Sequence, residues 1–298
     1  MVAKAQSDVN LFPYNTFKVS VKAKYFLEVN SPKDIPNENS LILGNGANIL
    51  FTKDYDGLVI KNNLLGKKEI EKGVFEIASG ESWIDFVNFA VDNGWAGLEK
   101  LSLIPGTIGG ALVGNIGAYG QTFEDIFVSA KSGKEIFSKD QCKFGYRESA
   151  FKHELKNRFV ESVTIKLSKN PNSKKIAQET AALRKSKLPD WTKIGTAGSF
   201  FKNPFVSQEK LADLLEEIPD LPHFSNKIPA GFLLERLGWK GKRIGNVATY
   251  DKHALIVINC GGATGQEILD FTKQMQADVK RAYDIDLEPE VNIISDTL

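Results

Sequence analysis

The stretch LSLIPGTIGGALVGNIGAYG, Leu101–Gly120, decides how this chain is read. Six glycines (Gly106, Gly109, Gly110, Gly114, Gly117 and Gly120) are interleaved with Ile, Leu, Val and Ala, and none of its side chains is charged. Apolar residues diluted by this many glycines imply buried backbone that something approaches closely, either another segment of chain or a ligand. On the residues alone, tight strand packing and a ligand cradle stand level. Upstream, Gly44-Asn45-Gly46-Ala47-Asn48-Ile49 forms a second such loop between two apolar runs. It fails the dinucleotide fingerprint, because Ile49 occupies the third glycine position and no βαβ helix follows, and the chain has no GxxxxGK[ST] phosphate loop. A Gly-x-Gly turn can still offer backbone N–H groups to a pyrophosphate, although a plain hairpin turn is the commoner use of such residues. Two uncharged, Gly-rich loops in one half of a protein favour a large, flat, diphosphate-bearing ligand over a small anion. A flavin dinucleotide fits that description.

The rest of the composition narrows the chemistry. At 298 residues the chain has room for two or three domains. Lys+Arg 38 against Asp+Glu 37 leaves a net charge of +1, which argues against a nucleic-acid coat, a polybasic membrane anchor or an acidic tail. No run of about 18 apolar residues occurs, and Met1–Asn15 lacks a charged-then-apolar signal pattern, so a soluble, non-exported chain is expected. Cys142 and Cys260 are expected to be reduced, packed thiols. His153, His223 and His253 have no spaced ligand partners and are expected to be surface or structural groups, which leaves no metal site.

Local patterns give an α+β chain. Tyr25–Val29, Leu41–Leu43, Leu58–Ile60 and Phe75–Ala78 are strand candidates separated by turn residues. Ser82, with Asp85 three residues on, is placed to cap a helix carrying Trp83, Phe86, Val87, Ala90 and Val91 on one face and ending at Asn93-Gly94. The polar break Lys169–Lys175 is the expected linker. Beyond it, Ala177–Lys185 and Leu211–Glu217 read as short helices. Ile228–Leu237 starts its helix after Pro229 and stops near Gly238. Leu255–Asn259 reads as a strand. The clearest helix is Gln266–Tyr283, with Ile268, Phe271, Thr272, Met275, Val279 and Ala282 on one face.

Three polar motifs remain. In Phe144-Gly145-Tyr146-Arg147-Glu148-Ser149, Arg147 is either a solvated surface charge or a planar donor fork for a carboxylate or developing enolate. Gly195–Pro204 carries Ser199 between small residues and two Phe, without a Gly-x-Ser-x-Gly elbow or an assignable triad. Leu287-Glu288-Pro289-Glu290-Val291 sets two acids around a proline, a pattern that also suits a solvated turn.

In order, the segments Leu43–Leu50, Ile104–Gly120, Phe144–Ser149, Gly195–Pro204 and Leu287–Val291 resemble the UDP-N-acetylenolpyruvoylglucosamine reductase family of bacterial peptidoglycan synthesis. The likeness runs from Asn15-Thr16-Phe17 to Val291. It implies an FAD-binding domain of the vanillyl-alcohol-oxidase type in two lobes, residues 1–62 (with 291–298 returning to it) and 63–172, followed by a substrate-binding domain, residues 173–290. The implied reaction is reduction of the enolpyruvyl ether of UDP-N-acetylglucosamine to UDP-N-acetylmuramate, with non-covalent FAD recharged by NADPH. The expected enzyme is a cytoplasmic monomer that binds no nucleic acid. By the same resemblance FAD is held by Gly44, Asn45, Gly46, Ala47, Asn48, Ile49, Pro105, Gly106, Thr107, Gly109, Gly110, Asn115, Gly117 and Ala118. Arg147, Ser199 and Glu290 are implied as catalytic, and Tyr119, Arg184, Lys187 and Asn203 as substrate-binding.

The chain departs from the family pattern in three places. Leu167–Ile176 is short and lacks the Tyr that one subgroup folds over the nucleotide diphosphate, leaving Lys174, Lys175 or nothing to close there. Asn292 stands where many relatives have Arg, and Lys18 where many have Gly. Two further readings share the motifs: a flavin oxidase of small alcohols or sugars, and a non-catalytic flavin or UDP-sugar sensor.

Overall fold

The computed structural model describes residues 4–36 and 38–295. The expected signal-free N-terminus therefore falls partly outside the described residues at 1–3, and the expected return of 291–298 partly outside at 296–298.

Lys22–Val29 and Tyr55–Asn62, whose second halves are largely buried, are the central strands of the first sheet. They pair in parallel, with Leu41–Leu43 parallel on the far side of Tyr55–Asn62 and Gln6–Asn10 antiparallel at the other edge. The second sheet is antiparallel, in the order Glu135–Ser138, Phe127–Ser132, Ser162–Lys166, Val74–Ala78, Lys67–Glu71. Helix Trp83–Asp92 closes one apolar core with that sheet, burying Trp83, Phe86, Val87, Ala90 and Val91. Ser82 caps the helix as expected, its hydroxyl accepting from the Asp85 N–H at 3.3 Å.

The third sheet, Gly195–Ser199, His253–Asn259, Val247–Tyr250, Arg243–Ile244, is antiparallel. Helices Ala230–Arg236 and Gly265–Tyr283 bury Leu233, Leu234, Ile268, Phe271, Met275 and Val279 in a core continuous with Phe17, Phe26, Phe51 and Val59 of the first sheet. The two ends of the chain thus share one hydrophobic interior. Strand Asn292–Ile294 completes the union by pairing in parallel with Ile49–Phe51.

Three sequence expectations change, and one departure finds its structural setting. Lys169–Lys175 is not a linker: Ser168–Lys169 pairs with Trp95–Ala96, and the helix Ser173–Lys187 begins at once. Lys169 Nζ also lies 3.5 Å from the Trp95 ring centre, so the polar residues of the break are used in packing. The glycine-rich stretch contains neither a bare loop nor packed strands at its centre, but a helix, Ile108–Gly114. Cys142 is a buried thiol, pushed up to about 12 by burial, whereas Cys260 is exposed rather than packed. Lys18 adopts φ +56°, so the left-handed turn survives without glycine. Its ammonium donates to the carbonyls of Thr192 and Lys193, both at 2.8 Å.

Candidate active site

Each glycine loop is fixed by a specific close approach. Gly46 sits at φ +59°, and a Cβ there would run into the carbonyl oxygen of Tyr14. Its own carbonyl accepts from the Thr16 N–H at 3.0 Å. The loop is therefore pressed onto the turn 14–16. Among the described residues no protein group accepts the N–H of Asn45, Gly46, Ala47 or Asn48. In the second loop, Thr107 caps the helix Ile108–Gly114, its Oγ1 accepting from the Gly110 N–H at 3.2 Å. Gly109 donates to the Ser79 carbonyl at 2.8 Å, and a Cβ at Gly109 would lie 3.1 Å from that oxygen. Asn45 Nδ2 joins the two loops by donating to the Gly106 carbonyl at 3.2 Å.

Between the loops lies a cavity of about 510 Å³, within the range of cofactor and small-ligand sites. Gly44, Asn45, Gly46, Ala47, Asn48, Ile49, Pro105, Gly106, Thr107, Gly109, Gly110 and Gly117 line it. Unpaired N–H groups on one side and helix backbone held tight by glycine on the other suit a flat, diphosphate-bearing cofactor. Asn115 and Ala118 stand outside the lining. Asn115 is committed to structure instead: its Nδ2 donates to Glu124 Oε2 at 2.8 Å and to the Gly145 carbonyl at 2.9 Å.

The same cavity is lined by Arg147, Ser199 and Glu290, which arrive from three distant parts of the chain. Arg147 lies in a tight turn in which Gly145 and Glu148 exchange backbone hydrogen bonds at 3.0 and 3.1 Å. The turn puts Arg147 at φ +59°. Its Nη2 donates to the Gly117 carbonyl at 2.6 Å and its Nε to Glu290 Oε1 at 2.9 Å. Ser199 ends strand Gly195–Ser199, where the register against His253–Asn259 shifts and Gly198 takes φ +76°. Among the described residues its hydroxyl has no hydrogen-bond partner. Glu290 is brought alongside because its N–H donates to the Phe200 carbonyl at 2.8 Å, while Asn48 Nδ2 donates to the Glu290 carbonyl at 3.1 Å. Burial pushes the Glu290 carboxyl above its usual range, against the opposing pull of Arg147, Lys152 and Lys202.

Arg184 also lines the cavity. Its Nε is buried without a partner among the described residues, and burial lowers its guanidinium while the neighbouring Tyr119 raises it. Tyr119 itself is half exposed, at φ +50°. Tyr119, Lys187 and Asn203 lie outside the lining. Asn203 ties down the turn before helix Ala230–Arg236, its Oδ1 accepting from the Ala230 N–H at 3.0 Å. Neither Lys174 nor Lys175 lines the cavity. Lys174 Nζ pairs with Asp92 Oδ1 at 2.8 Å and Lys175 Nζ lies 4.0 Å from Glu179, both away from the lining.

Asn292, noted in the sequence only as a departure, and Lys152, not singled out there, both line the cavity. Asn292 donates to the Asn48 carbonyl from both its N–H (3.1 Å) and its Nδ2 (2.9 Å), bracing the first glycine loop. Lys152 lines the cavity and its Nζ donates to the Arg147 carbonyl at 2.6 Å. Burial lowers its ammonium, with Glu148 acting against that. Its place five residues after Arg147 was the one signal available.

Residues 36–132 match a family described as an FAD binding domain, and residues 190–294 match the C-terminal domain of UDP-N-acetylenolpyruvoylglucosamine reductase. The UDP-N-acetylenolpyruvoylglucosamine reductase of Flavobacterium johnsoniae is 39% identical, the match covering 97% of this chain and 99% of the relative. That of Chromobacterium violaceum is 37% identical, over 99% of this chain and 100% of the relative. The first alignment runs over 334 positions against the 298 residues of this chain, so that relative carries insertions absent here. The crystal structure of UDP-N-acetylenolpyruvylglucosamine reductase from Thermus caldophilus shares the fold, with a TM-score of 0.78 at 24% identity over 98% of this chain and 99% of that one.

Proposed function

The chain belongs to the UDP-N-acetylenolpyruvoylglucosamine reductase family and is an FAD-dependent oxidoreductase of peptidoglycan precursor synthesis, and from that premise we propose that Arg147, Ser199 and Glu290 carry its chemistry. The observation that supports this most directly is the 2.9 Å contact between Arg147 and Glu290 on the wall of the cavity that Ser199 also lines. FAD, which the loops Gly44–Ile49 and Pro105–Gly110 would hold, would, once recharged by NADPH, supply a hydride to the carbon of the enolpyruvyl double bond distal to the ether. Negative charge then develops toward the substrate carboxylate. Arg147 stabilises it with a guanidinium that stays charged and is already aimed by Gly117 and Glu290. Glu290, its carboxyl pushed up by burial, is suited to remain protonated and donate a hydrogen bond to the same charge. Ser199 Oγ gives its proton to the carbon bearing the ether oxygen, completing the addition of one hydride and one proton across the double bond. A hydroxyl is a weak acid, so the transfer relies on the basicity of that carbon.

We read residues 1–62 and 63–172 as the two lobes that hold FAD and residues 173–290 as the part that receives the UDP-sugar. Tyr119, Arg184, Lys187 and Asn203 are assigned to the substrate on the strength of the family resemblance, and Arg184 has the added support of an unpaired Nε at the cavity. All three catalytic candidates come from a single chain, which fits a monomer. The use of NADPH in making a cell-wall precursor fits the cytoplasm.

An anaerobic visible spectrum tests the reading. NADPH should bleach the flavin bands and the enolpyruvyl UDP-sugar should restore them. Ser199→Ala should leave the bleaching intact and slow the restoration about 10²–10⁴-fold, the usual contribution of a positioned proton donor. Bands that return only when oxygen is admitted, or a Ser199→Ala protein that recovers at the normal rate, would sink the assignment.

A further inference from the structure

A concentrated charge network sits directly behind the cavity. Lys202, only 8% exposed, lies three residues beyond Ser199 and does not line the cavity. Its Nζ donates to Glu148 Oε1 at 2.5 Å and to Glu288 Oε1 at 2.6 Å, and its N–H donates to the Glu288 carbonyl at 2.9 Å. Glu148 is the residue after Arg147, and Glu288 lies two before Glu290. A single ammonium therefore ties together the three segments that carry Ser199, Arg147 and Glu290.

We propose that Lys202 is a positioning residue for the reduction, locking the Arg147 turn onto the Ser199 and Glu290 segments without touching a ligand itself. The inference rests on the catalytic assignment above. The three connections are not equally redundant. The Ser199 and Glu290 segments are also joined through the backbone, by Glu290 N–H to Phe200 carbonyl and by the bridge between Phe201 and Pro289. The Arg147 turn has no backbone pairing with either segment: it is held by the Lys202–Glu148 pair, the 2.9 Å Arg147–Glu290 contact, the Asn203 N–H to the Tyr146 hydroxyl at 3.3 Å and the edge of the Tyr146 ring against Phe205. Removing the ammonium therefore loosens the Arg147 turn in particular and leaves the strand pairing in place. Glu148 keeps His153 Nε2 at 2.8 Å and Lys152 Nζ at 3.8 Å, so it is not stranded. An exposed ion pair would be worth little, but here the lysine is buried and both carboxylates hydrogen-bond to it. Misplacing a reacting group by about 1 Å can cost on the order of 10²-fold in rate.

The test uses the FAD-loaded, full-length protein and follows the two half-reactions separately. In Lys202→Met, flavin reoxidation by saturating enolpyruvyl UDP-sugar should slow about tenfold or more. Bleaching by NADPH and the substrate dissociation constant should stay within about twofold, and Lys202→Arg should recover most of the lost rate, because Arg can still bridge two carboxylates. Glu148→Gln, which cuts the other end of the link, should show the same selective loss, and it decides the matter if Lys202→Met does not fold. Wild-type reoxidation in these variants would overturn the proposal. So would an equal fall in both half-reactions that Lys202→Arg does not recover, since that is the mark of general damage. Glu290→Gln measured alongside separates the two layers: normal reoxidation in it would overturn the catalytic assignment, whereas slow Glu290→Gln with unimpaired Lys202→Met would overturn only the positioning role.

Discussion

Arg147 and Glu290 are 143 residues apart in the chain and meet at 2.9 Å, Nε donating to Oε1. The contact joins a guanidinium to a carboxyl that burial pushes above its usual range, with Arg147 itself pulling the other way.

Glu290→Gln separates these effects. Gln keeps an oxygen for Arg147 but cannot ionise. The folded-state acidity of Glu290 is raised, so ionising it costs folding stability, and that cost grows as pH rises from the ordinary Glu value of about 4.3 through the higher folded value. The variant should therefore melt at a higher temperature than the parent at neutral pH, with the advantage disappearing toward pH 4. Its flavin reoxidation should fall about 10²-fold or more, as when one donor to a developing negative charge is removed. Melting curves across that pH range check the first expectation; a parent that gains stability relative to the variant as pH rises would contradict it.

Gly46→Ala should abolish flavin retention. Alanine at φ +59° costs about 1–2 kcal/mol from the left-handed conformation alone. The added Cβ also meets the Tyr14 carbonyl oxygen, which belongs to backbone and cannot swing aside. Relief requires the loop Gly44–Ile49 to lift away from the turn 14–16, carrying with it the unpaired N–H groups that face the cavity. Purified variant should be colourless or lose FAD on gel filtration, with a modestly lowered melting temperature. A variant that purifies yellow and keeps FAD through the column would show that the loop is not part of the cofactor cradle.

How far the sequence could be read depended on whether a signal was local. The helix Gly265–Tyr283 differs by one residue from the expected Gln266–Tyr283, because its apolar period and its Thr264–Glu267 capping box are local features. The helix Ile108–Gly114 was hidden because it contains Gly109, Gly110 and Gly114, each costing roughly 1 kcal/mol of helix propensity against alanine. Tertiary contact outweighs propensity there: a Cβ at Gly109 would lie 3.1 Å from the Ser79 carbonyl oxygen, tighter than most Cβ contacts. The catalytic candidates themselves entered through ordered motif resemblance. Their convergence depends on pairings such as Glu290 N–H to Phe200 carbonyl that no local pattern encodes. Lys152 looks like an ordinary polar residue until the chain folds back on itself.

Arg184→Met should weaken the nucleotide end of the substrate site. Arg184 Nε is buried at the cavity without an acceptor among the described residues, a cost that binding an anion would repay. Removing the guanidinium should raise the KM for the enolpyruvyl UDP-sugar about tenfold, since a hydrogen bond to a charged group is worth about 1.5–3 kcal/mol. The maximal rate should change far less. Because the variant also removes an unpaired buried donor, the ligand-free protein should be at least as stable as the parent. Titration with UDP and a melting curve report the two effects independently. Unchanged UDP affinity would remove Arg184 from the substrate site.

Lys152→Met tests whether the strained Arg147 turn needs support from within the cavity. Arg147 holds φ +59°, a conformation that costs an ordinary residue about 1–2 kcal/mol, and its carbonyl accepts from Lys152 Nζ at 2.6 Å. Methionine fills similar volume but gives no hydrogen bond, so the turn should relax and carry the guanidinium away from Gly117 and Glu290. The same substitution removes one of the positive charges that lower the Glu290 carboxyl, and so should leave that acid more firmly protonated. These consequences point in different directions. Loss of aim slows reoxidation at every pH, whereas a more firmly protonated Glu290 moves the alkaline limb of the reoxidation profile to higher pH. Lys152→Met should therefore show a rate lowered about tenfold, on the scale of a misaligned reacting group, together with an alkaline limb displaced upward. A lowered rate with an unmoved limb would confine Lys152 to supporting the turn. A normal rate would show that Arg147 holds its conformation unaided.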